Sequence, residues 1–292
     1  MNTPDDTDLR HGYADLADAR LHYVEAGEGP LVVLLHGFPE FWYGWRFQIP
    51  ALAAAGFRVV APDMRGYNLS SRPSGVAAYA PRRLAADIRD LIAERGSDRA
   101  RLAGHDWGAA VAWLTAMAHP DAVERLAILN VPHPRRMLEG LRTPRQMARS
   151  WYIFFFQLPW LPEQLLRAGR WRALRSMFER DARPGAFTPA DIERYVEAWS
   201  RPGAMTAMIN YYRATFRRPP GGPTGRGMPP VKAPTLVIWG ERDHVLGPEL
   251  ADPRRADVPN LERVVRLPDA SHWVQLDEPD RVNELLIEFF RG

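Results

Sequence analysis

The chain has 292 residues, 46% apolar, 11% aromatic and 25% charged, with a formal net charge of +3 and no cysteine. These proportions belong to a globular chain long enough for one large α/β domain, and they exclude a disordered or disulfide-stapled protein and any thiolate metal site. The polar start M-N-T-P-D-D-T-D reads without a secretory signal, and the most apolar run, Trp151 to Phe156, is stopped by Gln157 and Pro159 far short of a membrane span, so a cytoplasmic protein is expected.

In chain order, β-rich runs alternate with helix-length segments. L-V-V-L-L-H-G (31–37), F-R-V-V-A-P-D (57–63), A-R-L-A-G-H-D (100–106) and R-L-A-I-L-N (125–130) read as strands, with helices over Arg83–Arg95 and Ala109–Ala118 between them. Continuous apolar strands separated by helices predict an α/β fold, a parallel sheet covered on both faces. After Pro132 the alternation stops, and residues 134 to 218 are helical in composition, aromatic and rich in arginine. The arginine clusters at 135–149 and 167–175 read as a solvated helical face, and the low net charge argues against nucleic acid as a partner. P-P-G-G-P-T-G-R-G-M-P-P (219–230) cannot continue a helix or strand. Strands then resume with P-T-L-V-I-W-G (234–240) and E-R-V-V-R-L-P (262–268). A final helix, Asp280–Arg291, places Val282, Leu285, Leu286 and Phe289 on one face. The expected organisation is a core over 1–133 and 227–292 with a helical cap and its return linker, 134–226, inserted between the two parts.

The chemistry centres on L-A-G-H-D-W-G-A-A (102–110). The frame G-x-(nucleophile)-x-G marks a sharp strand-to-helix turn that pushes its central side chain outward, and here that side chain is Asp106 rather than serine. Alone, Asp106 reads equally as a helix cap. Asp243 in G-E-R-D-H (240–244) and His272 in D-A-S-H-W (269–273) shift the balance. Each follows a strand, where open parallel sheets place their sites, and the order nucleophile, acid, histidine is the hydrolase order for this sheet type. H-G-F-P (36–39) offers the backbone N–H of Phe38, and Trp107 offers its own, as an oxyanion hole. The Phe38–Pro39 bond is a candidate cis peptide.

An aspartate nucleophile narrows the reaction. Serine attacking an alkyl carbon leaves an ether, whereas aspartate leaves an ester that water can cleave. The carboxylate is already ionised at neutral pH, so His272 is free to activate water, with Asp243 orienting it. Substitution at an alkyl carbon is therefore expected, with an epoxide oxygen or a halide as leaving group.

H-G-F-P-E-F-W-Y-G-W-R-F-Q-I-P, D-M-R-G-Y-N-L-S-S-R-P, G-H-D-W-G and A-S-H-W-V-Q-L-D-E-P together resemble the epoxide hydrolases of the α/β-hydrolase fold, from about residue 20 to 132 and from 231 to the end. The resemblance implies conversion of an epoxide to a vicinal diol through an aspartyl ester, with neither cofactor nor metal. It also implies two cap tyrosines that hold the epoxide oxygen. These map to Tyr152 in S-W-Y-I-F-F-F-Q and Tyr212 in I-N-Y-Y-R, with Tyr211 as the alternative. The aromatic cap suggests an apolar alkyl or aryl substrate contacted by Phe38, Pro39, Trp107, Trp151 and Phe155. A monomer or homodimer is expected. Haloalkane and haloacetate dehalogenases share the elbow and triad. The first usually carry a further halide donor where this chain has Phe38, and the second carry arginines where it has Trp107 and Ala110. A hydrolase-fold receptor that binds without turnover is the remaining alternative.

Overall fold

The computed structural model describes residues 9–217 and 227–292. The first eight residues and most of the Pro/Gly-rich return segment lie outside them.

The centre is an eight-stranded sheet in the order β1-β2-β4-β3-β5-β6-β7-β8. Its strands are β1 (Arg10–Asp15), β2 (Arg20–Ala26), β3 (Leu31–Leu35), β4 (Arg58–Pro62), β5 (Ala100–His105), β6 (Val123–Leu129), β7 (Thr235–Gly240) and β8 (Leu261–Leu267). From β4 through β8 every neighbouring pair is parallel, and β1 and β2 run antiparallel at one edge. The six parallel strands correspond to the six runs read from sequence. β1 and β2 are additional to them. Their residues, RHGYAD and RLHYVEA, are too polar to read as strands, and pairing supplies what propensity lacks. In β2, His22 is buried because its Nδ1 meets Asp63 Oδ2 at 2.7 Å.

The sheet is flanked by α1 (Gln48–Ala54), α2 (Pro81–Glu94), α3 (Trp107–Ala118), α10 (Val274–Asp277) and α11 (Pro279–Arg291). In α11, Val282, Leu285, Leu286 and Phe289 are buried, as their spacing predicts. Between β6 and β7 lie α4 (Pro134–Gly140), α5 (Pro144–Arg149), α6 (Trp151–Phe155), α7 (Leu161–Asp181), α8 (Pro189–Ser200) and α9 (Ala204–Phe216). Helix α7 is broken at Ala168–Trp171, where the backbone leaves helical geometry. No strand occurs in this insertion among the described residues. Nor is any helix there long and apolar enough to cross a membrane.

Because β3 has β4 on one side and β5 on the other, the chain reverses its direction of winding at β3. Loops leaving the carboxyl ends of β3 and β5 therefore diverge and open a crevice.

Candidate active site

Asp106 stands at that crevice, between β5 and α3, with φ 48° and ψ −124°. A residue with a side chain is rarely held there, and such strain clusters at functional sites. Two glycines, one on the turn and one on the loop after β3, let the backbones approach. A Cβ on Gly108 would lie 2.1 Å from the Leu35 carbonyl oxygen, and one on Gly37 would lie 2.3 Å from Asp106 Cβ. The β3 loop thus presses directly on the aspartate. Phe38 N–H donates to Asp106 Oδ1 at 2.6 Å, and His272 Nε2 lies 3.6 Å from Oδ2. The two carboxylate oxygens therefore have separate surroundings.

Asp243 is buried beyond β7 and saturated with donors. Oδ2 faces His272 Nδ1 at 2.7 Å and accepts from Asn130 Nδ2 at 2.9 Å. Oδ1 accepts from the N–H groups of Val245 and Leu246 at 2.7 and 2.8 Å. These contacts fix both the imidazole plane and its tautomer. Burial alone would disfavour the imidazolium, but the Asp243 charge and the hydrogen bonds to Asp106 and Asp243 outweigh it, so the His272 pKa lies well above its ordinary value. Burial likewise pushes the Asp106 and Asp243 carboxyls up, and His272 overrides it and holds both below the usual carboxylate range.

Sequence reasoning missed three contributors. Asn130 directly follows β6 at φ 50°, accepts from Gly240 N–H at 2.8 Å and donates to Asp243. Glu40, buried, meets His105 Nδ1 at 3.0 Å, and His105 Nε2 meets the His272 carbonyl oxygen at 2.8 Å. Glu40 follows H-G-F-P directly, and that position was the only signal available. Its partner is distant in sequence.

Two cavities meet at Asp106. The smaller, about 140 Å³, has Trp107, Leu114, Met137 and Phe216 in its wall. The larger, about 370 Å³, has Phe38, Phe155, Leu174 and His272. Asp106, Tyr152 and Tyr212 belong to both walls. Tyr152 and Tyr212 meet edge to face at 5.8 Å between ring centroids, and Tyr212 also packs on Trp107 at 4.9 Å. Burial first, and then the Asp106 charge, raise both phenols above their ordinary range, so both stay protonated and able to donate.

The neighbouring Tyr211 points elsewhere. Its hydroxyl donates to the Arg65 carbonyl at 2.7 Å, and it joins neither cavity wall. One residue on a helix turns the side chain by about 100°. Pro39 is likewise absent from both walls. The Phe38–Pro39 bond is cis, and the Pro39 carbonyl accepts from Trp199 Nε1 at 2.6 Å, so its expected substrate contact is replaced by a packing role. Trp151 borders the larger cavity but is 62% exposed, which places it at the rim. The wall of the larger cavity also carries polar groups among its apolar residues. Arg149, Asp181 and His244 stand in the wall of the larger cavity, whereas the smaller is apolar apart from Asp106, Thr215 and the two phenols.

Residues 30–279 match the alpha/beta hydrolase fold family. The chain is 40% identical over 291 residues to human Epoxide hydrolase 4, covering 96% of this chain and 79% of that protein. It is 43% identical to AB hydrolase superfamily protein YfhM of Bacillus subtilis over 275 residues, covering 93% and 94%. Among solved structures, an epoxide hydrolase from Bacillus megaterium in complex with an inhibitor superposes with a TM-score of 0.86 at 32% identity, covering 96% of this chain and 100% of that one.

Proposed function

The chain belongs to the epoxide hydrolases of the alpha/beta hydrolase fold family, and on that premise we propose that it converts an epoxide to a vicinal diol with Asp106 as the nucleophile. One observation carries the reading. A carboxylate on the elbow lies between the Phe38 N–H and His272, and two protonated phenols share both of its cavity walls.

Tyr152 and Tyr212 donate to the epoxide oxygen while Asp106 Oδ2 attacks a ring carbon from the opposite side. The carbon–oxygen bond breaks, and the negative charge moves from the carboxylate to the alkoxide beside the phenols. The alkoxide takes a proton from one of the phenols, and the phenolate left behind is reprotonated from water. Esterification of Asp106 removes one of the two anions that hold His272 protonated. Its pKa falls toward a value at which it can deprotonate water, and Asp243 stabilises the imidazolium that results. Water attacks the ester carbonyl. Its developing oxyanion at Oδ1 is held by the Phe38 N–H and by the Trp107 N–H, which opens α3 and has no acceptor within that helix. Collapse breaks the acyl–oxygen bond, the departing oxygen takes the proton held by His272, and the diol leaves as Asp106 returns to its carboxylate by losing a proton to water.

In this reading residues 134–226 act as a cap on a core formed by 1–133 and 227–292. Substrate contacts come from Phe38, Trp107 and Phe155, with Trp151 at the rim. We place the enzyme in the cytoplasm, in keeping with a chain free of cysteine.

The deciding experiment is diol release from aryl and aliphatic epoxides, run beside halide release from haloalkanes and haloacetates. Diol without halide is expected. Halide without diol would make the two tyrosines packing residues and the chain a dehalogenase, and binding without either product would make it a receptor. Within the epoxide assay, Tyr152→Phe and Tyr212→Phe should each slow ester formation roughly 10- to 1,000-fold in single-turnover measurements. The double variant should be slower than either, because each single variant keeps one donor.

The pH dependence has a defined sign. Hydrolysis of the ester should rise with pH and level off as His272 becomes neutral. Asp243→Asn removes the remaining anion, which should move that profile to lower pH and lower its plateau, since the imidazolium then forms unsupported. A profile displaced to higher pH would contradict the assignment of Asp243.

A further inference from the structure

Helices α5 and α6 turn one face to the protein and leave an apolar face exposed. Gln146, Ser150, Ile153 and Phe156 are buried toward the protein. Outward, Met147, Trp151, Phe154 and Leu158 recur at spacings of four, three and four, which is one face of a helical winding. They are 46%, 62%, 57% and 44% exposed. Trp160 and Leu165, at 68% and 51%, follow directly in the chain. A surface helix normally turns polar residues to water, and exposed apolar residues gathered in one segment mark an interaction surface.

Within this segment of the chain the exposed charge has one sign. Arg142, Arg145, Arg167, Arg170 and Arg172 are exposed on either side of the stripe in sequence. Between Leu141 and Phe178 the sequence holds a single acidic residue, Glu163. Glu163 is buried and ion-paired with Arg213 at 2.6 Å, so it neutralises none of them. The solvated arginine face expected from sequence therefore encloses two tryptophans and a phenylalanine that water does not favour.

We propose that this face docks on an anionic phospholipid bilayer, with Trp151, Phe154 and Trp160 entering the headgroup region and the flanking arginines meeting lipid phosphates. Aromatic rings on an apolar stripe flanked by arginine are the composition of a helix lying in the membrane interface. Charge complementarity selects this partner. A second copy docked face to face would bring one arginine rim against another, and a nucleic-acid duplex would leave the aromatic stripe without a match. Trp151, exposed on this face, and Arg149 also stand in the wall of the larger cavity. On the epoxide reading, apolar substrate dissolved in the bilayer then lies beside that wall. Membrane docking itself does not depend on that reading.

The test is cosedimentation of the purified protein with vesicles of phosphatidylcholine alone or of phosphatidylcholine mixed with phosphatidylglycerol, with tryptophan emission recorded on the same samples. Binding is expected on the anionic vesicles, with a blue shift, and should weaken as salt is raised. Phe154→Ser combined with Trp160→Ser should weaken it about tenfold or more, and Arg145→Glu with Arg167→Glu should do the same. All four positions are exposed and outside the proposed machinery, so diol release from a water-soluble epoxide should be unchanged. That assay also separates a failed docking proposal from a failed catalytic one. Absence of binding to anionic vesicles at low salt would overturn the proposal. So would binding indifferent to the Phe154/Trp160 pair, or a stable dimer that the same pair dissociates.

Discussion

His272→Gln is expected to react once with its epoxide and then stop, leaving intact protein heavier by the mass of one substrate. Attack by Asp106 does not need the imidazole as a base, because the carboxylate is already ionised, whereas release of the ester does. Steady-state turnover should fall by roughly 1,000-fold or more, in line with loss of a general base held in place by its own orienting acid. Intact-mass spectrometry after one incubation reads the result. Rapid full turnover by this variant would mean that another group activates the water, and the buried Glu40–His105 pair behind the His272 loop would be the first place to look.

Asp106→Ala is expected to lose turnover by roughly 10,000-fold or more, since no other carboxylate is on the elbow to form the ester. Comparing it with Asp106→Gly isolates a second property of this position. Both variants lack the carboxylate, so they differ mainly in backbone. Glycine accepts φ 48° without strain and alanine does not. Asp106→Gly should therefore be inactive yet more stable than Asp106→Ala by about 1 kcal/mol, a few degrees or less in Tm for a chain of this size. Equal melting temperatures would remove the claim that the elbow is held under strain.

What the sequence disclosed follows from how local each signal was. The elbow, Asp243 and His272 could be read because each lies at or beyond the end of a strand legible in the sequence, and strand ends converge in a parallel sheet. β1 and β2 were hidden because their stability comes from pairing at the sheet edge rather than from composition. Asn130 looked like the polar end of a strand, and only the fold brings it against Asp243. Glu40 and His105 are 65 residues apart, so nothing local couples them. Pro39 was misjudged for the opposite reason. Its neighbour Phe38 does face the cavity, but proximity in sequence does not carry a side chain to the same wall. The choice between Tyr211 and Tyr212 needed helix rotation, which a three-letter register in the sequence does not reveal.

The insertion point between β6 and β7 also bears on ancestry. The groups assigned to ester formation and cleavage sit on loops at the ends of core strands. Those assigned to polarising the oxirane sit on α6 and α9, inside one uninterrupted stretch of chain. The nucleophile and the hydrolytic groups are thus encoded apart from the groups assigned to activating the leaving oxygen. A lineage that replaced the inserted helices would keep a working ester-cleaving apparatus while acquiring a new electrophile, and divergence of leaving-group chemistry on this scaffold requires no change to its hydrolytic half.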